Sequence, residues 1–141
     1  MAIIGIDHVQ VAAPPGCEED ARAFYGRLLG LEEIPKSEPL RARGGVWFRA
    51  GSQELHVGVE EPFAPACKAH PGLVTEDLDA LRSRLEAAGH GTSEDRESIP
   101  GAYRAYVHDP FGNRLELRQA GSSRRRASRD AAARSGDTTS G

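Results

Sequence analysis

Cysteine is scarce in this chain, with two in 141 residues. Cys17 and Cys67 stand 50 positions apart and form no CxxC pair. That excludes a disulfide framework and a closed thiolate zinc site, and it points to a reducing, cytoplasmic setting. Long hydrophobic runs are missing too. No stretch approaches the ~18 apolar residues that a membrane helix needs, so the chain is not expected to span a membrane. The opening MAIIGIDHVQ meets a charge at Asp7, too early for a secretory segment, so no signal peptide is expected. Residues 121–141 contain no Leu, Ile, Val or aromatic residue. Such a segment buries too little apolar surface to offset the entropy of ordering it, and it reads as a disordered Arg/Ser-rich tail.

What remains suits one folded domain over residues 1–120. Its charge is acidic, with 13 bases against 19 acids, while the tail carries five arginines and two aspartates. An acidic body argues against nucleic acid as a partner. The expected partner is a small molecule.

The body reads as two similar halves, over about residues 1–60 and 69–120. Residues 3–12 form a strand candidate, closed by Pro14-Pro15-Gly16. Residues 18–29 have helical spacing, with Ala21, Tyr25, Leu28 and Leu29 on one face and Gly30 after the end. Strand candidates follow at 31–35, 45–50 and 53–59, the last two joined by Gly51-Ser52. After a Pro-rich crossing over 61–68 the order repeats. There is a strand at 70–75, then a helix capped by Asp77 with Leu78, Leu81 and Leu85 on one face. Gly89 follows, then strands at 90–93, 103–107 and 114–119, with Asp109-Pro110-Phe111-Gly112-Asn113 as a turn between the last two. The chain is therefore expected to be α+β, with βαβββ twice.

A repeat lets equivalent positions build one site. His8 precedes Glu54 by 46 residues, and His70 precedes Glu116 by the same interval. Each glutamate opens a similar triplet, Glu54-Leu55-His56 and Glu116-Leu117-Arg118. Imidazoles and carboxylates on strands make a constellation suited to Zn, Fe, Mn, Ni or Co. Against that stands the plainer role of a strand histidine, a hydrogen-bonded structural residue. Alternation puts Arg114, Glu116 and Arg118 on one face of their strand, either a solvated charged face or a carboxylate in a polar cavity. Glu54 and His56 likewise share a face.

The stretches DHVQVAAP, ARAFYGRLLGLEEI and HDPFGNRLEL resemble the vicinal oxygen chelate superfamily, over residues 1 to about 120. This superfamily includes glyoxalase I, bleomycin-resistance proteins, fosfomycin-resistance thiol transferases and extradiol dioxygenases. The resemblance implies paired βαβββ modules in a cupped eight-stranded mixed sheet around a divalent metal (Zn, Ni, Mn, Co or Fe). It implies His8, His70 and Glu116 as ligands, with Glu54 or His56 as the fourth. The third strand of the second module would line the substrate cavity, bringing in Tyr106 and Arg104, and Trp47 either stacks on substrate or fills core. Glu54 and Glu116 would be the catalytic carboxylates of proton transfer. The implied function is a glyoxalase-like, metal-dependent enzyme on a small oxygenated substrate, of lyase, isomerase or thiol-transferase type. Two alternatives stand beside it: a metal-free protein that sequesters an antibiotic or metabolite, and an extradiol-type dioxygenase using His8, His70 and Glu116. A homodimer is the assembly implied.

Overall fold

The computed structural model describes residues 1–121, so the tail expected over 121–141 lies outside the described residues apart from Gly121. Strand β1 (His8–Ala13) leads into α1 (Glu18–Ala21), which runs on as a π-helical segment, Arg22–Leu28. Then come β2 (Glu32–Ile34), a short α2 (Glu38–Arg41), β3 (Val46–Ala50) and β4 (Gln53–Val59). The second half holds β5 (Gly72–Thr75), α3 (Leu78–Ala87), β6 (Ser93–Asp95), β7 (Arg104–His108) and β8 (Arg114–Gln119). The strands form two four-stranded sheets in the orders β1-β4-β3-β2 and β5-β8-β7-β6. In each, the first strand pairs parallel to the last and the other pairs are antiparallel. The βαβββ repeat is thus the architecture.

Alternation decides which face is apolar. Leu55 and Val57 of β4, Phe48 of β3, and Leu115 and Leu117 of β8 are buried beneath Phe24, Tyr25, Leu78, Leu81 and Leu85 of the helices. Fully burying each such side chain contributes roughly 1.5–3 kcal/mol. The two halves share this core. They are also joined by the turn 109–113. Tyr25 donates its hydroxyl to Asp109 Oδ2 at 2.7 Å, and Asn113 Nδ2 donates to the Ala12 carbonyl at 2.7 Å. Asp109 Oδ1 accepts from the backbone N–H groups of Phe111 and Asn113, which closes the turn. Burial and the Asp109 carboxylate push the Tyr25 hydroxyl well above the usual tyrosine pKa.

Three strands, β1, β5 and β6, differ from the expected bounds by two residues or more, each for a local reason. Strand β1 starts at His8 rather than residue 3, because His8 pairs with Glu54 and β4 begins only at Gln53. Among the described residues no strand pairs with those before Asp7, and Ile3, Ile4 and Ile6 are exposed. Strand β5 starts at Gly72 rather than at residue 70, since Pro71 has no N–H for the ladder. His70 therefore precedes its strand rather than lying in it. Strand β6 covers 93–95 rather than 90–93. The N–H groups of Gly89 and His90 donate back to the carbonyls of Glu86 and Leu85, so His90 closes α3 in a Schellman arrangement and its ring meets Phe24 edge-on. Gly89, at φ +90°, makes that closure possible. The helix α2 was not foreseen in the sequence.

Candidate ligand-binding site

The polar faces of the two sheets carry the candidate site residues in two groups, with His70 just before β5. The first group lies across β1, β4 and β3. His8 and Glu54 are direct partners in the parallel β1–β4 pair, and Trp47 and His56 are partners across β3–β4. That register stacks three rings. Trp47 lies over His56 at 4.1 Å with planes 6° apart, and His56 over His8 at 4.3 Å with planes 16° apart. His56 is 5% exposed, and its Nε2–H donates to Glu54 Oε1 at 2.9 Å. His8 Nδ1 is bonded to Asp7 Oδ1 at 2.8 Å. The two candidates for the fourth ligand are therefore bonded to each other.

The second group is built on β8, β7 and β6. Glu116 and Tyr106 face each other across the antiparallel pair. The Glu116 carboxylate, 9% exposed, accepts from Arg104 Nη1 and, at 3.5 Å, from the Tyr106 hydroxyl. Arg104 Nη2 bonds Asp95 Oδ2 at 2.9 Å. N–H donors of Ser98 and Glu97, with the Arg104 charge, hold the Asp95 carboxyl below the usual aspartate range. Arg104 is thus clasped between two carboxylates, while its Nε is buried with no hydrogen-bond partner among the described residues. The guanidinium of Arg114 sits 4.1 Å above the Tyr106 ring, and His70 meets that ring edge-on at 5.7 Å. His70 Nδ1–H donates to the Lys68 carbonyl at 2.8 Å. A Cβ on Gly72 would come within 3.2 Å of Glu116 Oε2, so the small residue there leaves room for the carboxylate.

Among the described residues no group of three or more His, Cys, Asp and Glu is placed to hold a metal ion. The donors explain why. Imidazole lone pairs lie in the ring plane, so His8 and His56, stacked nearly parallel, do not aim at a common point ~2.1 Å from each nitrogen. Glu116 spends its charge on Arg104. As they stand, these residues do not fit a divalent ion.

Four residues escaped the sequence reading in part or whole. Asp95 came from a stretch with no clear periodicity. Asn113 and Asp109 were visible only as turn residues. Arg114 was on the correct face by alternation, but its stacking on Tyr106 depends on the β7–β8 register. His108 and Cys67 are exposed, and neither joins either group. Cys17 is buried, and burial pushes its thiol pKa up, which makes it an inert core residue.

A sequence model of the glyoxalase/bleomycin resistance protein/dioxygenase superfamily matches residues 5–117. The chain belongs to this superfamily. A glyoxalase family protein from Bacillus anthracis is 52% identical, with a TM-score of 0.80 over 84% of this chain and 97% of that one. A lactoylglutathione lyase from Agrobacterium tumefaciens is 26% identical, with a TM-score of 0.62 over 82% and 93% of the two chains. TnmS3, an antibiotic binding protein from Streptomyces sp. CB03234, shares the fold at 24% identity, with a TM-score of 0.67 over 87% and 99%. No curated protein matches the chain. The superfamily includes lyases, antibiotic-binding proteins and fosfomycin resistance proteins, so the choice between them rests on the site.

Proposed function

We propose that this protein is a small-molecule-binding member of the superfamily, one that takes an oxygenated antibiotic or metabolite on its polar sheet faces without a metal. The ion pair between Arg104 and Glu116 carries this reading. A cation already neutralises the carboxylate that a metal would use, and a second cation, Arg114, stands on the neighbouring ring. A divalent ion there would meet two guanidinium charges. The same arrangement suits an organic ligand. Tyr106 offers a hydroxyl, and the Trp47–His56–His8 stack offers flat rings.

A cytoplasmic setting belongs to this reading, since both cysteines are free thiols. Among the described residues, no helix is long and apolar enough to cross a membrane. A twofold homodimer belongs to it as well. Among the described residues, strands β1 and β5 each end a sheet with one side unpaired, and the exposed Ile3, Ile4, Ile6 and Val74 lie on or before them.

Trp47 is the chain's one tryptophan, so its fluorescence reports ligand arriving on the ring stack. Titrating a panel of antibiotics and oxygenated metabolites, with and without EDTA, tests the proposal. Saturable quenching that EDTA leaves unchanged supports it. Binding that appears only with added divalent metal overturns it.

One observation favours a metal-dependent lyase instead: His8 and Glu54 are direct register partners on the two strands that the superfamily resemblance assigns to ligands. In that case His8, His70, Glu116 and either Glu54 or His56 would hold the ion, and Arg104 would have to release Glu116.

A further inference from the structure

A cleft of about 420 Å³ follows the seam where β1, the crossing segment and the start of β8 meet. Its volume lies within the range of roughly 300–1,000 Å³ typical of small-molecule sites. Val9 and Val11 of β1 and Ala64, Ala66 and Ala69 of the crossing give it apolar walls. Arg114 and His70 border it at the Tyr106 end.

Arg114 is the informative residue. Its guanidinium carbon stands over the Tyr106 ring, 4.1 Å from the ring centre, and among the described residues the guanidinium forms no ion pair. Glu116, the neighbouring carboxylate on β8, is taken by Arg104. Glu60 also borders the cleft, but it is not within ion-pair distance of Arg114. A cation–π contact occupies no hydrogen-bond acceptor, so the N–H fork of Arg114 is left to pair with a planar carboxylate, whose geometry matches it. We infer that the seam cleft binds a small organic carboxylate, with the carboxylate on Arg114 and a compact hydrocarbon body against Val9, Val11 and the three alanines. This deepens the binding reading above and rests on it.

The test is an NMR titration of the isotopically labelled full chain with sodium benzoate and sodium cyclohexanecarboxylate, using benzamide as the uncharged control. Saturable shifts at the methyl groups of Ala64, Ala66 and Ala69 are expected, with benzamide at least tenfold weaker. Arg114→Gln should lose benzoate affinity at least tenfold. Arg114→Lys keeps the charge without the fork and should fall between the two, which keeps the test valid if the glutamine variant fails to fold. Arg27→Gln, on an exposed helical position, should bind as the wild type does. The inference is overturned if benzamide binds as tightly as benzoate, if the Arg114 variants leave affinity unchanged, if the shifts fall elsewhere, or if no probe saturates. Its failure is distinct from failure of the binding reading. Metal-independent ligand binding that ignores Arg114 would spare the latter and overturn the seam site.

Discussion

At the scale of the residue, Glu116 decides the chemistry. Alternation along β8 left it either on a solvated charged face or in a polar cavity, and nothing in the sequence chose between them. Register chooses. Tyr106 stands opposite Glu116, and Arg104, two residues earlier, reaches it diagonally. The second anchor of Arg104, Asp95, comes from a three-residue strand with no apolar pattern to reveal it. Removing one member of a mostly buried pair leaves the other charge without a partner, and that costs more than the pair contributes. Arg104→Gln should therefore destabilise the fold by about 3 kcal/mol in urea unfolding. The expected cost of Glu116→Gln is smaller, because the amide oxygen still accepts from Tyr106 and Arg104 keeps Asp95. Equal, negligible effects would show that the pair is solvated.

At the scale of the element, one contact pins the start of β3 to the start of α1. Gly45 has φ +89°, and a Cβ there would stand 2.2 Å from the Val57 carbonyl oxygen. Both the left-handed backbone and the close approach demand glycine. Gly45→Ala should lower stability by at least 2 kcal/mol on the scale of strained-backbone effects, read as a fall in Tm. The Gly45 N–H donates to Glu18 Oε1 at 3.0 Å and is the main reason that the Glu18 carboxyl lies below the usual glutamate value of 4.5. A lowered folded-state value stabilises the fold above the unfolded-state value, and the contribution is lost as pH falls through the folded one. Wild type and Glu18→Gln should therefore differ in Tm at pH 6 and converge as the pH drops below about 4. A constant difference across that range would remove Glu18 from the acid response. The contact was not legible in the sequence, because Gly45 reads only as the first residue of the strand candidate at 45–50 and Glu18 only as the first of the helix candidate at 18–29. By contrast, β4 and β8 have the bounds that their alternation predicts, and Asp77 caps α3 by accepting from Ala80 N–H at 3.0 Å. Patterns set within one element were readable. The ends of β1, β5 and β6 were not, because a neighbouring strand, a proline or a helix cap sets them.

At the scale of the whole molecule, the repeat was legible from its spacing, and the joint between its halves was not. That joint is the Tyr25–Asp109–Asn113 network, whose members lie 84 and four residues from Asp109. Tyr25→Phe should cost about 1–2 kcal/mol, since Asp109 Oδ2 keeps its bond from Asn113. The unpaired edges of β1 and β5 predict a dimer by light scattering at micromolar concentration, and a monomer there would contradict the proposed assembly. The family resemblance implied His8, His70, Glu116 and either Glu54 or His56 around one ion. The structure divides these candidates, with His8, Glu54 and His56 on one sheet and Glu116, bound by Arg104, on the other. Elemental analysis of the full chain purified without added metal, and again after incubation with Zn, Mn, Co, Ni or Fe and removal of excess ion, tests that division most directly. Metal well below one ion per chain in both samples is the predicted result. One tightly held ion per chain, lost in His8→Ala and in Glu116→Gln, would contradict it.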